Sequence, residues 1–106
     1  MIRLWSAFAL IALAAAAGVK LHGCTVHFVT PQLDHGPIVI QAAVPVADDD
    51  SEKTLAARVL AEEHRIYPQA LRWFCENRLQ ITPQGTVMLK AAHSVSGAFL
   101  SPALDP

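Results

Sequence analysis

Asp34 carries the chemistry that most needs explaining in this sequence. It sits in a turn between two apolar, strand-like segments within the run Cys24 to Gln41, CTVHFVTPQLDHGPIVIQ. An ionisable group held there is costly unless it is paired or put to use. Thr25, His27 and Val29 alternate with Cys24, Val26 and Phe28, so a strand would set Thr25 and His27 on one face and the apolar trio on the other. Gly36 permits unusual backbone angles and Pro37 fixes the entry to the next extended segment, Ile38 to Ile40. The pattern predicts an acid on a rigid corner. Two readings are open at this point: an active-site carboxylate, or an Asp that caps its turn before Gly-Pro.

A second acid stands out further along. After the acidic turn Asp48-Asp49-Asp50, Ser51 is placed to cap a helix, and Glu52 sits where the helix dipole favours an anion. Leu55, Val59, Ile66, Ala70 and Phe74 then recur at helical spacing, whereas Arg58, Glu62, Arg65 and Arg72 fall opposite. Glu63 falls within the apolar stripe, where a carboxylate is either paired at the edge of a core or a ligand for something polar. Pro68 removes a backbone donor and crowds the preceding turn, so a kink is expected near His64. Asn77-Arg78 should end the helix. Leu79 to Ile81 and Thr86 to Leu89, separated by Pro83-Gln84-Gly85, read as a closing β-hairpin.

Composition narrows the classes. The chain has 106 residues, 53% of them apolar, and a net charge of −1, which suits one small folded domain and argues against disorder. No basic run interleaved with aromatics supports nucleic-acid binding. His22, Cys24, His27 and His35 lack the spacing of a standard zinc motif, and Cys24 should point away from His27 on a strand, so no metal is expected. Cys24 and Cys75 read as buried thiols.

The segment 1–17 has one positive charge, an apolar run from Ala7 to Ala17 and small residues suited to cleavage, the outline of an export signal. An Ala-rich helix or an accident of the reading frame explains the same residues. The expected organisation is therefore an apolar segment at 1–17, a folded part at 18–93 and a loosely held tail at 94–106.

At Gly23-CTVHFV-Val29, Leu33-Asp34-His35-Gly36-Pro37-Ile38-Val39-Ile40-Gln41 and Leu55-AARVLAEEHRIYP-Pro68, the sequence resembles the glycinamide ribonucleotide (phosphoribosylglycinamide) formyltransferases of purine biosynthesis. Two blocks at family spacing are far more specific than one short motif. The resemblance implies an α/β fold, of which this chain is the C-terminal portion: a few-stranded mixed sheet, a long kinked helix and a closing hairpin, with the N-terminal part of the sheet incomplete. It implies transfer of a formyl group from 10-formyltetrahydrofolate, the co-substrate, to the amine of glycinamide ribonucleotide. Asp34 matches the catalytic aspartate, and His27 and Thr25 support it. Glu63 matches the acid that binds the ribose hydroxyls, and Thr30, Pro31, Gln32 and Leu33 match the loop that binds the folate pterin. Pro31 has no N–H to offer there.

By the same resemblance, the family's Gly-rich phosphate loop and its catalytic Asn and His belong to an N-terminal half that this chain does not show, so the chain alone is expected to be inactive. The expected location is the cytoplasm, or outside it if 1–17 acts as a signal. Other readings are a non-catalytic protein derived from the fragment and a relative of formyltetrahydrofolate hydrolase. For the formyltransferase and for the non-catalytic protein alike, an exposed apolar sheet edge where the missing strands belong would favour self-association.

Overall fold

Among the described residues of the computed structural model, which are 2–5, 17–29, 36–93 and 100–106, the elements run β1 (Ile2–Trp5), β2 (Leu21–Phe28), β3 (Ile38–Pro45), α1 (Glu52–Cys75), β4 (Leu79–Ile81), β5 (Val87–Leu89) and β6 (Leu100–Ser101). Four strands form one sheet in the order β1-β2-β3-β6, and β4 pairs with β5 as a separate hairpin. Helix α1 packs on β2 and β3. Every pairing among the described residues is antiparallel, where a mixed sheet was expected. Short antiparallel connections suffice to join β2 to β3, whereas a parallel pair needs a long crossover.

The register of β2 on β3 follows from their apolar patterns. Cys24 lies opposite Ala42 and Val26 opposite Ile40, so these side chains are buried together beneath α1. Gly23 lies opposite Ala43 on the other face. A Cβ at Gly23 would stand 1.9 Å from the Ala42 carbonyl oxygen, so this close approach of the two backbones requires glycine.

The alternation breaks between Val26 and His27, where the register jumps from Val26↔Ile40 to His27↔Ile38. This bulge leaves Val26, His27 and Phe28 buried in succession. The expectation that Thr25 and His27 share a face is corrected here, because a bulge resets which side chain points where. Nothing in the alternation of residue types announces it.

Ser51 caps α1 as expected. Its hydroxyl accepts from the Thr54 N–H at 3.2 Å, and its own N–H donates to Thr54 Oγ1 at 2.9 Å. Just ahead of the cap, Asp50 accepts from the Ala47 N–H at 2.7 Å and from Arg58 Nη2 at 3.0 Å, and Arg58 Nη1 donates to the Pro45 carbonyl at 2.9 Å. One forked pair therefore ties the end of β3 to the start of α1. Its hydrogen bonds, first from Arg58 and then from Ala47, hold the Asp50 carboxyl far below the usual carboxylate range.

Leu55, Val59, Ile66, Ala70 and Trp73 are fully buried. Phe74, expected in this stripe, is 48% exposed, and Trp73 takes its place. The reason is helical phase: Trp73 comes five full turns after Leu55, at about 100° per residue, and Phe74 is swung on by one step. The Phe74 ring instead meets Phe28 at 6.1 Å between centroids. α1 continues through Pro68 to Cys75, so the expected interruption at Tyr67-Pro68 does not end it. The proline's cost, about 3 kcal/mol, is offset by burying Ala70 and Trp73 beyond it. Asn77 then turns the chain with φ 57°, in the left-handed region that Asn tolerates. The hairpin that follows lays Leu79, Val87 and Leu89 against the core.

Both ends depart from expectation. Ile2–Trp5 is a strand paired antiparallel to Thr25–Phe28, not the start of a helix, and residues 6–16 lie outside the described residues. The tail is held where it is described: Ser101 pairs with Gln41 and Leu100 with Ala42, Leu104 packs on the core, and Asp105 receives Arg78 Nη1 at 2.6 Å and Trp73 Nε1 at 3.2 Å. An ion pair and a hydrogen bond to a buried indole outweigh the composition that suggested looseness. No helix among the described residues is long and apolar enough to cross a membrane.

Gly23→Ala should lower unfolding stability by about 2 kcal/mol or more, since backbone blocks the added methyl; an unchanged urea midpoint would contradict the register. A second expectation concerns acid. The folded-state pKa of Asp50 is depressed, so its stabilisation is complete above the unfolded carboxyl value of about 4 and disappears as pH falls through the folded one. Asp50→Asn should therefore destabilise at pH 7 and flatten the acid limb of the stability curve, as read by urea midpoints between neutral and acid pH.

Candidate active site

The described residues on either side of the β2–β3 connection hold its ends together. The Phe28 N–H donates to the Pro37 carbonyl at 2.9 Å, and the Gly36 N–H donates to His27 Nδ1 at 3.2 Å. Asp34 itself, with Thr30, Pro31, Gln32, Leu33 and His35, lies outside the described residues. The structure thus gives the frame of the expected catalytic turn and folate loop, and the frame is closed at its base by β2 and β3.

His27 is the inner post of that frame. It is 2% exposed, and its Nδ1 also stands 2.8 Å from the Phe28 carbonyl. A neutral imidazole nitrogen either donates or accepts, so Nδ1 serves one of these two contacts at a time. With the proton on Nδ1 it donates to Phe28; with the proton on Nε2 it accepts from Gly36. Either way Nδ1 is engaged by backbone at the ends of the β2–β3 connection. Thr25 is elsewhere: half-buried on the sheet's outer face, it receives Gln41 Nε2 at 3.1 Å. The structure brings Thr25 to Gln41, not to His27.

Glu63 is half-buried at the border of α1's apolar stripe, not within it. It lines a concavity of about 400 Å³ with His64, Tyr67, Pro68 and Leu71. One carboxylate beside largely apolar walls can accept two hydroxyl hydrogen bonds. Its field also reaches β2: burial pushes the Cys24 thiol up to about 12, with Glu63 and then Glu62 adding in the same direction. The strand that leads to the Asp34 turn therefore runs beside the helix that presents Glu63. Cys75, expected to be buried, is exposed, because it lies in the last turn of α1 on the side away from the sheet.

Sequence reasoning missed the four residues that line the concavity with Glu63: His64, Tyr67, Pro68 and Leu71. Tyr67 and Leu71 follow Glu63 at steps of four, the spacing of neighbours on one helix face, and that signal was available. It also missed Gln41, which the strand pattern places opposite Thr25 only once the register is known. Among the described residues no group of three or more His, Cys, Asp or Glu side chains converges as a metal site.

These features define a class: an α/β unit in which a long helix bearing a half-buried acid packs on two antiparallel strands. Residues 4–71 match the sequence pattern of a family described as Formyl transferase, and the chain belongs to that family. It is 50% identical over 64 residues to the phosphoribosylglycinamide formyltransferase of Escherichia coli K12, covering 60% of this chain and 30% of that protein. The crystal structure of phosphoribosylglycinamide formyltransferase from Anaplasma phagocytophilum superposes with a TM-score of 0.80 at 35% identity, over 88% of this chain and 49% of that one. A formyltetrahydrofolate deformylase from Pseudomonas syringae superposes with a TM-score of 0.69 at 31% identity, over 76% of this chain and 26% of that one. The chain thus spans about a third of the length of the curated bacterial transferase and half of the solved one.

A thiol reagent offers a direct check on the site's packing. At pH 8 Cys75 should react promptly and Cys24 should stay unmodified until the chain unfolds, since the thiolate is the nucleophile and burial suppresses it. Two fast-reacting thiols would contradict the placement of Cys24 beneath α1.

Proposed function

We propose that these residues form the acid-bearing portion of a phosphoribosylglycinamide formyltransferase, with 10-formyltetrahydrofolate as formyl donor and glycinamide ribonucleotide as acceptor. The observation that carries the reading is that the described flanks of the β2–β3 connection are tied together, Phe28 to Pro37 and Gly36 to His27, beside a helix that presents Glu63 in a concavity. The 50% identity to the Escherichia coli transferase supports it.

The amine nitrogen attacks the formyl carbon to give a tetrahedral intermediate, the bond from that carbon to the folate nitrogen breaks, and the proton lost by the amine is returned to that nitrogen. An oxyanion donor and a proton carrier are required. Asp34 takes the electrostatic part: its negative charge favours the protonated form of a neighbouring imidazole, which then donates to the departing nitrogen. His27 holds the turn through Gly36 and Phe28. Glu63 accepts the two ribose hydroxyls and fixes the nucleotide so that its amine points at the turn. Thr30 to Leu33 provide backbone contacts to the pterin, with Pro31 contributing none as a donor. The oxyanion donor and the imidazole come from the part of the family domain that these 106 residues do not span, so the chain transfers formyl groups only when that part is present, in the same polypeptide or added to it.

With the domain completed, Asp34→Asn should cut kcat by about 10²- to 10⁴-fold with little change in KM for the nucleotide. Glu63→Gln should raise that KM about 10- to 100-fold, the loss expected of a charge-assisted hydrogen bond. Formate release in the absence of the amine, equal to the transfer rate in its presence, would instead indicate a deformylase. Full activity of Asp34→Asn would overturn the reading.

A further inference from the structure

The C-terminal residues engage the sheet in a way that the catalytic reading leaves unused. β3 reads Ile38-Val39-Ile40-Gln41-Ala42-Ala43-Val44-Pro45, eight residues without a charge and rich in β-branched side chains. Such a strand with an open edge is a template for pairing with another copy of itself. β6 lies on that edge and pairs at Gln41↔Ser101 and Ala42↔Leu100, the middle of the strand. Three residues of β3 remain on either side, so another strand could pair along β3 only in two short, separated pieces.

A two-residue strand does not hold itself in place. The residues just beyond it do: Leu104 packs against the core, the Asp105 N–H donates to Gln69 Oε1 at 3.1 Å, and the Asp105 carboxylate receives Arg78 Nη1 at 2.6 Å and Trp73 Nε1 at 3.2 Å. Arg78 is itself fixed, donating to the Lys90 carbonyl at 3.1 Å and the Ala91 carbonyl at 3.0 Å. His93 Nε2 stands 3.9 Å from the other Asp105 oxygen, and Glu76 is 3.5 Å from the same guanidinium. The clasp therefore joins the tail to both α1 and the hairpin.

We propose that residues 100–106 are a strap, locked by the Asp105–Arg78–Trp73 clasp, whose role is to cover the edge of β3 and prevent it from pairing antiparallel with β3 of a second copy of this chain. The strap keeps an uncharged, aggregation-prone strand monomeric, and loss of the clasp converts the protein to a self-associating form. The inference rests on the fold alone and stands whether or not the site transfers formyl groups.

The test uses the full chain. Asp105→Asn keeps the shape of the clasp and removes its charge; near-ultraviolet circular dichroism of Trp73 reports that the core persists. The β3 amide that bonds β6 should exchange at least tenfold faster in the variant, and sedimentation should show concentration-dependent dimers and larger species where the unaltered chain is monomeric. Adding Ile38→Lys, a charge at the exposed start of β3, should restore the monomer while leaving exchange fast. In the unaltered chain the same amide should exchange by a local opening, faster than those of Val26 and Ile40, a readout that needs no variant. Unchanged exchange in Asp105→Asn, fast exchange without association, or association that Ile38→Lys leaves intact would each overturn the proposal.

Discussion

The pairing of β2 with β3 sets everything else in this fold. With Gly23 opposite Ala43 and Val26 opposite Ile40, the two strands bury one apolar face under α1 and bring their backbones so close at Gly23 that no other residue fits. A slip of one residue would turn that face to solvent and remove the helix's seat. The same register determines where the strands part, and therefore where the Phe28–Pro37 hydrogen bond closes the turn that bears Asp34. The bulge at Val26 and His27 is the one irregularity, and it is what aims the imidazole at the turn's ends.

The helix answers to the sheet. Its buried stripe from Leu55 to Trp73 lies on β2 and β3, and that seating leaves Glu63, at the border of the stripe, half-buried beside the concavity. The candidate site would accordingly be divided between two elements, the β2–β3 connection and a helix flank. The connection's described ends are joined by one backbone hydrogen bond and by the His27 ring, and the helix is fixed at its start by the Asp50–Arg58 fork and at its end by Arg78.

Much of this was legible in the residues. Ser51 as a cap, Asn77 as a stop, the hairpin around Gly85 and four of the five positions of the buried stripe follow from local rules, because capping, left-handed turns and helical spacing are decided by near neighbours. Phe74 and Trp73 exchanged roles because adjacent residues differ by a quarter turn, and the last position of a long stripe accumulates the error in its assumed phase. The bulge was illegible, since it depends on which residues of a partner strand lie opposite. So was the held tail: Asp105 becomes a clasp only when Arg78 and Trp73, distant in sequence, arrive beside it. The residues of the site were named by their resemblance to a family, and the structure adds the contacts of His27 and Phe28 with Gly36 and Pro37 and the walls around Glu63.

The central claim is that the Asp34 turn and Glu63 serve one bound nucleotide. A crystal structure of this chain, completed with the remaining portion of the family domain and soaked with glycinamide ribonucleotide, tests it most directly. Both ribose hydroxyls should lie within hydrogen-bonding distance of the Glu63 carboxylate, with the amine directed at the connection between Phe28 and Pro37. A nucleotide bound with its ribose away from Glu63, or with its amine facing away from that turn, would contradict it.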